Sequence, residues 1–215
     1  GMLQGKRIPL SDVNPELIPS YRAIRDDVDA VIRKLDSHRH DKDSYYRVRD
    51  LDPDELPPHE IAARMIYLNK TGFNGLYRVN RSGRFNVPFG RHKNPTICDR
   101  DNLVAVADAL QGVQLHVESF EAAVRRARAN HLVYFDPPYV PVSDTAYFVS
   151  YARNGFGSDD QQRLADVFVR LSDKGVLVML SNSDTPWVRK AYRIFRKKQV
   201  MATRMVNTRA DRRGP

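Results

Sequence analysis

Asp136-Pro137-Pro138-Tyr139 places a carboxylate, two rigid rings and an aromatic face in four consecutive positions. At average residue usage that tetrapeptide arises by chance on the order of once per thousand chains of this length. It follows directly on Leu132-Val133-Tyr134-Phe135, which reads as a buried apolar strand. The carboxyl end of a strand in an open α/β sheet is where ligands bind. The residue types suit one chemistry. An amine on an aromatic base is a poor nucleophile because its lone pair is delocalised into the ring. The Asp136 carboxylate and the Pro137 carbonyl can both accept hydrogen bonds from such an NH2 and draw it toward tetrahedral geometry. Two prolines hold the turn rigid, so the acceptors are preorganised. Tyr139 offers a flat face on which a base turned out of a helix can stack. The released lone pair can then attack a methyl sulfonium in line. The alternative for the motif taken alone is a stiff Asp-Pro-Pro turn.

Charge points the same way. The chain has 215 residues, with 35 Lys+Arg against 26 Asp+Glu and a net charge of +9. The excess sits in two blocks. Residues 69–98 hold Lys70, Arg78, Arg81, Arg84, Arg91 and Lys93 and no acid, and residues 189–215 hold ten basic groups against Asp211 alone. Two basic blocks on a mildly acidic body suit a polyanion binder, although a generically basic surface has the same charge. Apolar residues make up 41% and charged residues 28%, as in a folded globule. No apolar run approaches the ~20 residues of a membrane-spanning helix, and the N-terminus has no signal-peptide core. Cys98 is the only cysteine, which excludes a disulfide scaffold and a zinc site of several thiolates. The six histidines show no metal-ligand spacing and read as solvated or phosphate-adjacent, so no metal is expected. A cytoplasmic location is expected.

The elements that must position these residues can be read from periodicity. Ile8-Pro9-Leu10 is a short strand ending at Ser11-Asp12, and a single long helix is predicted over 15–36. Residues 37–58 read as a loop with short helices. Residues 60–69 form a helix with Ile61, Met65 and Leu68 inward, and 70–95 read as a hairpin or loop. Further on come a helix over 102–111 stopped by Gly112, a strand over 113–117 and a helix over 120–129. After the motif, Ser158 caps a helix to Ser172 with Gln161 closing a capping box. A buried strand over 176–180, a short helix over 186–192 and a last strand near 199–206 follow. Alternating strands and helices imply a mostly parallel sheet covered on both faces.

These residues together resemble the Dam-like DNA adenine-N6 methyltransferase family. The Asp136–Tyr139 segment is similar to the catalytic motif of amino-group DNA methyltransferases. Residues 68–78 (LNKTGFNGLYR) and 83–91 (GRFNVPFGR) resemble that family's DNA-reading hairpin. Residues 11–18 (SDVNPELI) resemble its second cofactor motif, and 181–185 (SNSDT) the segment after its next strand. The resemblance implies that Asp136, Pro137, Pro138 and Tyr139 form the catalytic turn. It further implies that Asp12, Asp136 and Tyr139 contact S-adenosyl-L-methionine, with Asp12 on the ribose hydroxyls. Phe73 matches an aromatic that wedges into double-stranded DNA, and Arg78 an arginine that reads a guanine edge. Asn74, Leu76, Asn86, Pro88, Arg91 and Lys93 fall near the DNA; for Leu76, packing within the hairpin is the alternative. Lys70, Arg81 and Arg84, with Lys93, read as phosphate contacts.

The implied fold is a Rossmann-like methyltransferase sheet lacking its first strand, with an inserted helical and β-hairpin recognition subdomain. The catalytic domain would span 1–18 and 96–215, and the target-recognition domain 19–95. Two family parts have no counterpart: the glycine-rich Phe-x-Gly-x-Gly turn with its strand, and the last strand. Both ends look truncated, and Gly155-Phe156-Gly157 reads instead as a loop near the site. Three functions follow. The first is site-specific methyl transfer from S-adenosyl-L-methionine to adenine N6 in duplex DNA, as in restriction-modification. The second is a catalytically impaired DNA-binding remnant of such an enzyme. The third, transfer to cytosine N4 or a glutamine amide, is disfavoured by the hairpin and by aspartate at position 136.

Overall fold

The computed structural model describes residues 8–80, 82–141 and 156–201. They fall into two compact units, one running to Arg125 and the other from Arg126. Each combines helices with a two-stranded parallel sheet, so the chain is a mixed α/β protein.

In the first unit, β1 (Pro9–Asp12) pairs with β2 (Gln114–Val117) in the register Leu10↔Leu115 and Asp12↔Val117. Between them run α1 (Leu17–Asp26), α2 (Val28–Asp36), α3 (Lys42–Asp50), α4 (Pro58–Thr71) and α5 (Arg100–Ala109). The helix predicted over 15–36 is two helices. Asp27 leaves helical geometry (φ −154°, ψ 72°), and its carboxylate accepts the Ala30 N–H at 3.0 Å. It thereby ends α1 and caps α2, letting both apolar stripes turn into one core. That core gathers Val31, Leu35, Tyr45, Tyr67, Leu68 and Val87 with Leu103 and Ala107 of α5. On α4 the deeply buried positions are Ala62, Ala63, Arg64, Tyr67, Leu68 and Thr71, while Ile61 and Met65 are only half-buried. The two alanines let α1 and α2 approach α4 closely, which moves the buried stripe by about one residue, roughly a quarter of a turn. After β2, α6 (Phe120–Ala123) passes into a 3-10 turn at Val124–Arg126 rather than continuing to Ala129. The Arg125-Arg126-Ala127-Arg128 run gives it no large apolar side chain to bury.

In the second unit, β3 (Leu132–Phe135) pairs with β4 (Leu177–Leu180) in the register Leu132↔Leu177 and Phe135↔Leu180. Helix α7 (Ser158–Asp173) buries Leu164, Ala165, Phe168 and Leu171 and packs on β4. Gly157 caps it, donating its N–H to the Asp160 carboxylate at 2.6 Å. Asp160 therefore makes the capping contact expected of Gln161, which leaves Gln161 for another partner. The strands are not buried on both faces as predicted. Leu132 is 67%, Tyr134 52%, Leu177 62% and Met179 54% exposed, so α7 covers one face only. Helix α8 (Pro186–Ala191) starts at Thr185, whose hydroxyl accepts the Val188 N–H at 3.3 Å. No strand forms up to Met201 among the described residues, and the rest of the strand predicted near 199–206 lies outside them, as does Gly155. Among the described residues no helix is long and apolar enough to cross a membrane, and no His, Cys, Asp and Glu group could hold a metal ion.

Candidate functional site

Asp12 and the hairpin belong to the first unit and the Asp136 turn to the second. The hairpin begins where α4 ends. Its arms meet at antiparallel bridges Gly72↔Phe89 and Val79↔Phe85. The Phe73 N–H donates to the Pro88 carbonyl at 2.9 Å, Asn86 N–H to Arg78 at 3.0 Å and Asn80 N–H to Arg84 at 2.8 Å. The arms cross so closely that a Cβ on Gly90 would lie 2.8 Å from the carbonyl oxygens of Thr71 and Gly72. Asn74 (φ 54°) and Gly75 (φ 61°) supply the left-handed turn just after α4. Phe85 and Val87 are buried on the inner side. Tyr45 donates its hydroxyl to the Val87 carbonyl at 3.0 Å, and burial pushes that hydroxyl up to about 12.

The hairpin brings two predicted DNA contacts onto each other. Arg78 donates from Nε to Asn86 Oδ1 at 2.6 Å and from Nη2 to the Asn86 carbonyl at 3.0 Å. Asn86 thus fixes the guanidinium plane of Arg78. Phe73 and Leu76 are half-buried and pack against the helical core, as does Phe89. Asn74, Pro88, Arg91, Lys93 and Lys70 are exposed. Arg84 pairs with Asp52 at 2.8 Å, and Arg81 lies outside the described residues. Two of the six histidines, His38 and His40, differ from expectation, whereas His92 and His131 are exposed. His38 packs on Tyr67 with ring centroids 4.7 Å apart, and His40 on Phe89 at 5.4 Å. Both rings are half-buried against an aromatic neighbour rather than fully solvated.

Asp12 ends β1, and its Oδ1 accepts the Asn14 N–H at 2.7 Å. Asn14 Oδ1 in turn accepts the N–H groups of Glu16 and Leu17 at 2.9 and 3.2 Å, which starts α1. Glu16 is buried and takes Arg64 Nη1 on Oε2 at 2.5 Å. Arg64 also donates to the carbonyls of Val48 and Arg49, at 3.1 and 2.8 Å. Tyr77, next to Arg78, donates its hydroxyl to Glu16 Oε1 at 3.3 Å. Burial, and then the Glu16 carboxylate, push that hydroxyl up to about 12, so it remains a donor. One buried ion pair therefore ties the Asp12 loop to the hairpin. Sequence reasoning missed it; the available signal was an arginine inside the apolar stripe of α4.

The Asp136 turn leaves β3 at its carboxyl end. Asp136 and Pro138 are exposed and Tyr139 is 48% exposed. The Tyr134 and Ser181 hydroxyls meet at 2.6 Å across the strand ends, and Ser181 N–H continues the ladder to the Phe135 carbonyl at 3.1 Å. Gln161, 6% exposed, donates Nε2 to the Pro138 carbonyl at 2.7 Å. Asn182 accepts the Val140 N–H at 2.8 Å. Neither Gln161 nor Asn182 stood among the predicted site residues. A glutamine in line with Leu164, Ala165, Phe168 and Leu171 on a buried stripe was the readable signal for Gln161.

Comparison with known proteins gives this geometry its context. Residues 2–206 match the family described as D12 class N6 adenine-specific DNA methyltransferase. A type II methyltransferase from Lactococcus lactis is 40% identical over 99% of this chain and 78% of its own length. One from Methanocaldococcus jannaschii is 41% identical over 97% of this chain and 76% of its own length. The DNA adenine methylase of Escherichia coli is 32% identical over 96% of this chain and 76% of its own length. With a turn of the right residues at a strand end and a basic hairpin in the first unit, the chain belongs to the D12 class of N6 adenine-specific DNA methyltransferases.

Proposed function

We propose that this chain moves a methyl group from S-adenosyl-L-methionine to N6 of adenine at a specific site in double-stranded DNA, and that the Asp136–Tyr139 turn is its reactive centre. The observation carrying the reading is the braced turn at the end of β3, where Gln161 occupies the Pro138 carbonyl. Among the described residues, the Asp136 carboxylate and the Pro137 carbonyl have no such partner. They are the two acceptors that an adenine amine needs, and Tyr139 has the exposure to stack on the flipped base.

The acceptor oxygens of Asp12 fit the ribose diol of the cofactor. One carboxylate oxygen is fixed by the Asn14 N–H, and the half-buried side chain retains a second for a diol hydroxyl. When bound, the cofactor would supply an electrophilic methyl on sulfonium; by the family resemblance, Asp12, Asp136 and Tyr139 are the residues that would hold it. On the DNA side, Arg78, held by Asn86, reads a guanine edge. Phe73 is the wedge, which requires it to leave its half-buried position. Asn74, Leu76, Pro88, Arg91 and Lys93 complete the contact surface. The architecture we propose is a Rossmann-like catalytic domain of residues 1–18 and 96–215 with a recognition domain at 19–95.

The test is methyl transfer from labelled S-adenosyl-L-methionine to an unmethylated adenine-containing duplex. Asp136→Ala should lower transfer by at least about a thousandfold while leaving salt-sensitive duplex binding intact. An Asp136→Ala chain that still transfers at the parent rate removes the turn from the reaction. Duplex binding without any transfer by the parent chain removes catalysis altogether.

A further inference from the structure

We propose that Gln161 and Asn182 form an amide relay that grips the reactive turn on both sides of Tyr139 and sets the positions of Tyr139 and the Pro137 carbonyl. What the gripped turn then does rests on the methyltransferase reading; the grip itself rests on geometry. Pro137 and Pro138 carry no N–H, so the turn lacks the donors with which an ordinary turn braces itself. Its hydrogen bonds come from elsewhere. Asn182 Oδ1 accepts the N–H groups of Val140 and Ser183, both at 2.8 Å. Asn182 Nδ2 donates to Gln161 Oε1 at 3.3 Å, and Gln161 Nε2 donates to the Pro138 carbonyl at 2.7 Å. The carbonyl before Tyr139 and the N–H after it are thus held by one pair of side chains.

The polarity of the relay is forced. Backbone N–H groups, which only donate, meet it at one end, and a backbone carbonyl, which only accepts, meets it at the other. Reversing the Asn182 amide sets donors against donors, and reversing the Gln161 amide sets oxygen against oxygen. Gln161 is 6% exposed, a depth at which an amide without partners is costly. Its bond occupies one lone pair of the Pro138 carbonyl, whereas among the described residues the Pro137 carbonyl is left without a partner and open to substrate. Gln161 and Asn182 are positioning residues: they act through the turn.

Gln161→Glu replaces the donor with an acceptor of the same size. The carboxylate opposes the Pro138 carbonyl, and donation returns only when it is protonated. In full-length protein its kcat should therefore recover as pH falls, relative to the parent chain and to Gln162→Glu, an exposed charge control one residue along. Gln161→Met removes both bonds without adding charge. It should lower kcat about tenfold or more with KM for the duplex changed less than about threefold. Amide exchange at Val140, read without DNA or cofactor, should quicken about tenfold or more in Asn182→Ala and Gln161→Met, with β4 amides unchanged. The relay requires both the kinetic and the exchange responses. If the parent chain methylates DNA and either response is missing, the relay is overturned and the methyltransferase reading stands. If the parent chain does not methylate, that reading falls, and exchange at Val140 alone decides the relay.

Discussion

The hairpin after α4 and the turn after β3 are both loops that must hold a few groups still, and they are held in opposite ways. The hairpin braces itself. Its arms exchange backbone hydrogen bonds at Phe73, Asn80 and Asn86, and its key side chain, Arg78, is fixed by a residue on the other arm. The Asp136 turn cannot do this, because its two prolines have no N–H to give. It is held from outside by Gln161 on α7 and by Asn182 beyond β4. A reader of sequence needs a side chain held at its tip, so the brace is on the side chain. A reactive turn needs exposed acceptors, so the brace falls on backbone groups that the reaction does not use.

The largest expected effect breaks the hairpin's foundation. Arg64 and Glu16 have side-chain exposures of 3% and 7%, and Tyr77 reaches the same carboxylate from the hairpin. Arg64→Met leaves Glu16 buried without its cation and should cost about 3–5 kcal/mol of stability. Denaturant unfolding measures the loss. Adding Glu16→Gln should return much of it, because the uncompensated charge is removed. A single variant that unfolds like the parent would show that the pair does not support the hairpin.

A smaller effect sharpens the comparison at the hairpin tip. Arg78→Ala should weaken discrimination at one base pair by about 1–3 kcal/mol. Asn86→Ala should act in the same direction but less, since it frees the guanidinium rather than deleting it. The double variant should resemble Arg78→Ala alone. Lys93→Ala should weaken specific and scrambled duplexes alike. Binding of each variant to both duplexes separates these outcomes. Equal losses on the two duplexes for Arg78→Ala would take base reading away from Arg78.

How much of this was legible in the sequence follows the same division. Local chemistry was readable. Gly72, Asn74-Gly75 and Gly90 punctuate a loop that does form a hairpin, and Leu132–Phe135 does run as a strand into Asp136. Pairings between distant residues were not readable. Gln161 looks like a capping residue because it stands three positions after Ser158, but Asp160 reaches Gly157 first. Asp27 looks like one polar position on a long helix, yet its carboxylate is a better cap for α2 than its backbone is a link in α1. His38 and His40 look solvated because their neighbours in sequence are charged, whereas their neighbours in space are Tyr67 and Phe89. Periodicity reports which residues turn inward, not which partner each inward polar group meets.

The smallest expected effect follows from those rings and divides the two regions by pH. Burial, reinforced by the Lys34 ammonium and opposed by Glu60, holds the His38 imidazole below its ordinary value of 6.5. Its folded form prefers to be neutral, so the unfolded chain binds the extra proton. The stability this contributes is complete above about pH 6.5 and is lost as pH falls through the lowered value. Asp41 and Asp52, held below the usual carboxylate value first by the backbone N–H groups of Ser44 and Asp54, add their loss only at lower pH. His38 packs on Tyr67 in the core beneath the hairpin, whereas His131, the histidine of the second unit, is exposed. Mild acid should therefore loosen the hairpin before the turn. Relative to intrinsic exchange at each pH, protection at Phe73 and Asn86 should fall as pH drops from about 7 to 5 while Val140 stays protected, and His38→Gln should flatten the hairpin's response. A parallel loss of protection at all three amides would mean that His38 senses the whole fold, and that the hairpin does not rest on the aromatic core more heavily than the turn rests on its relay.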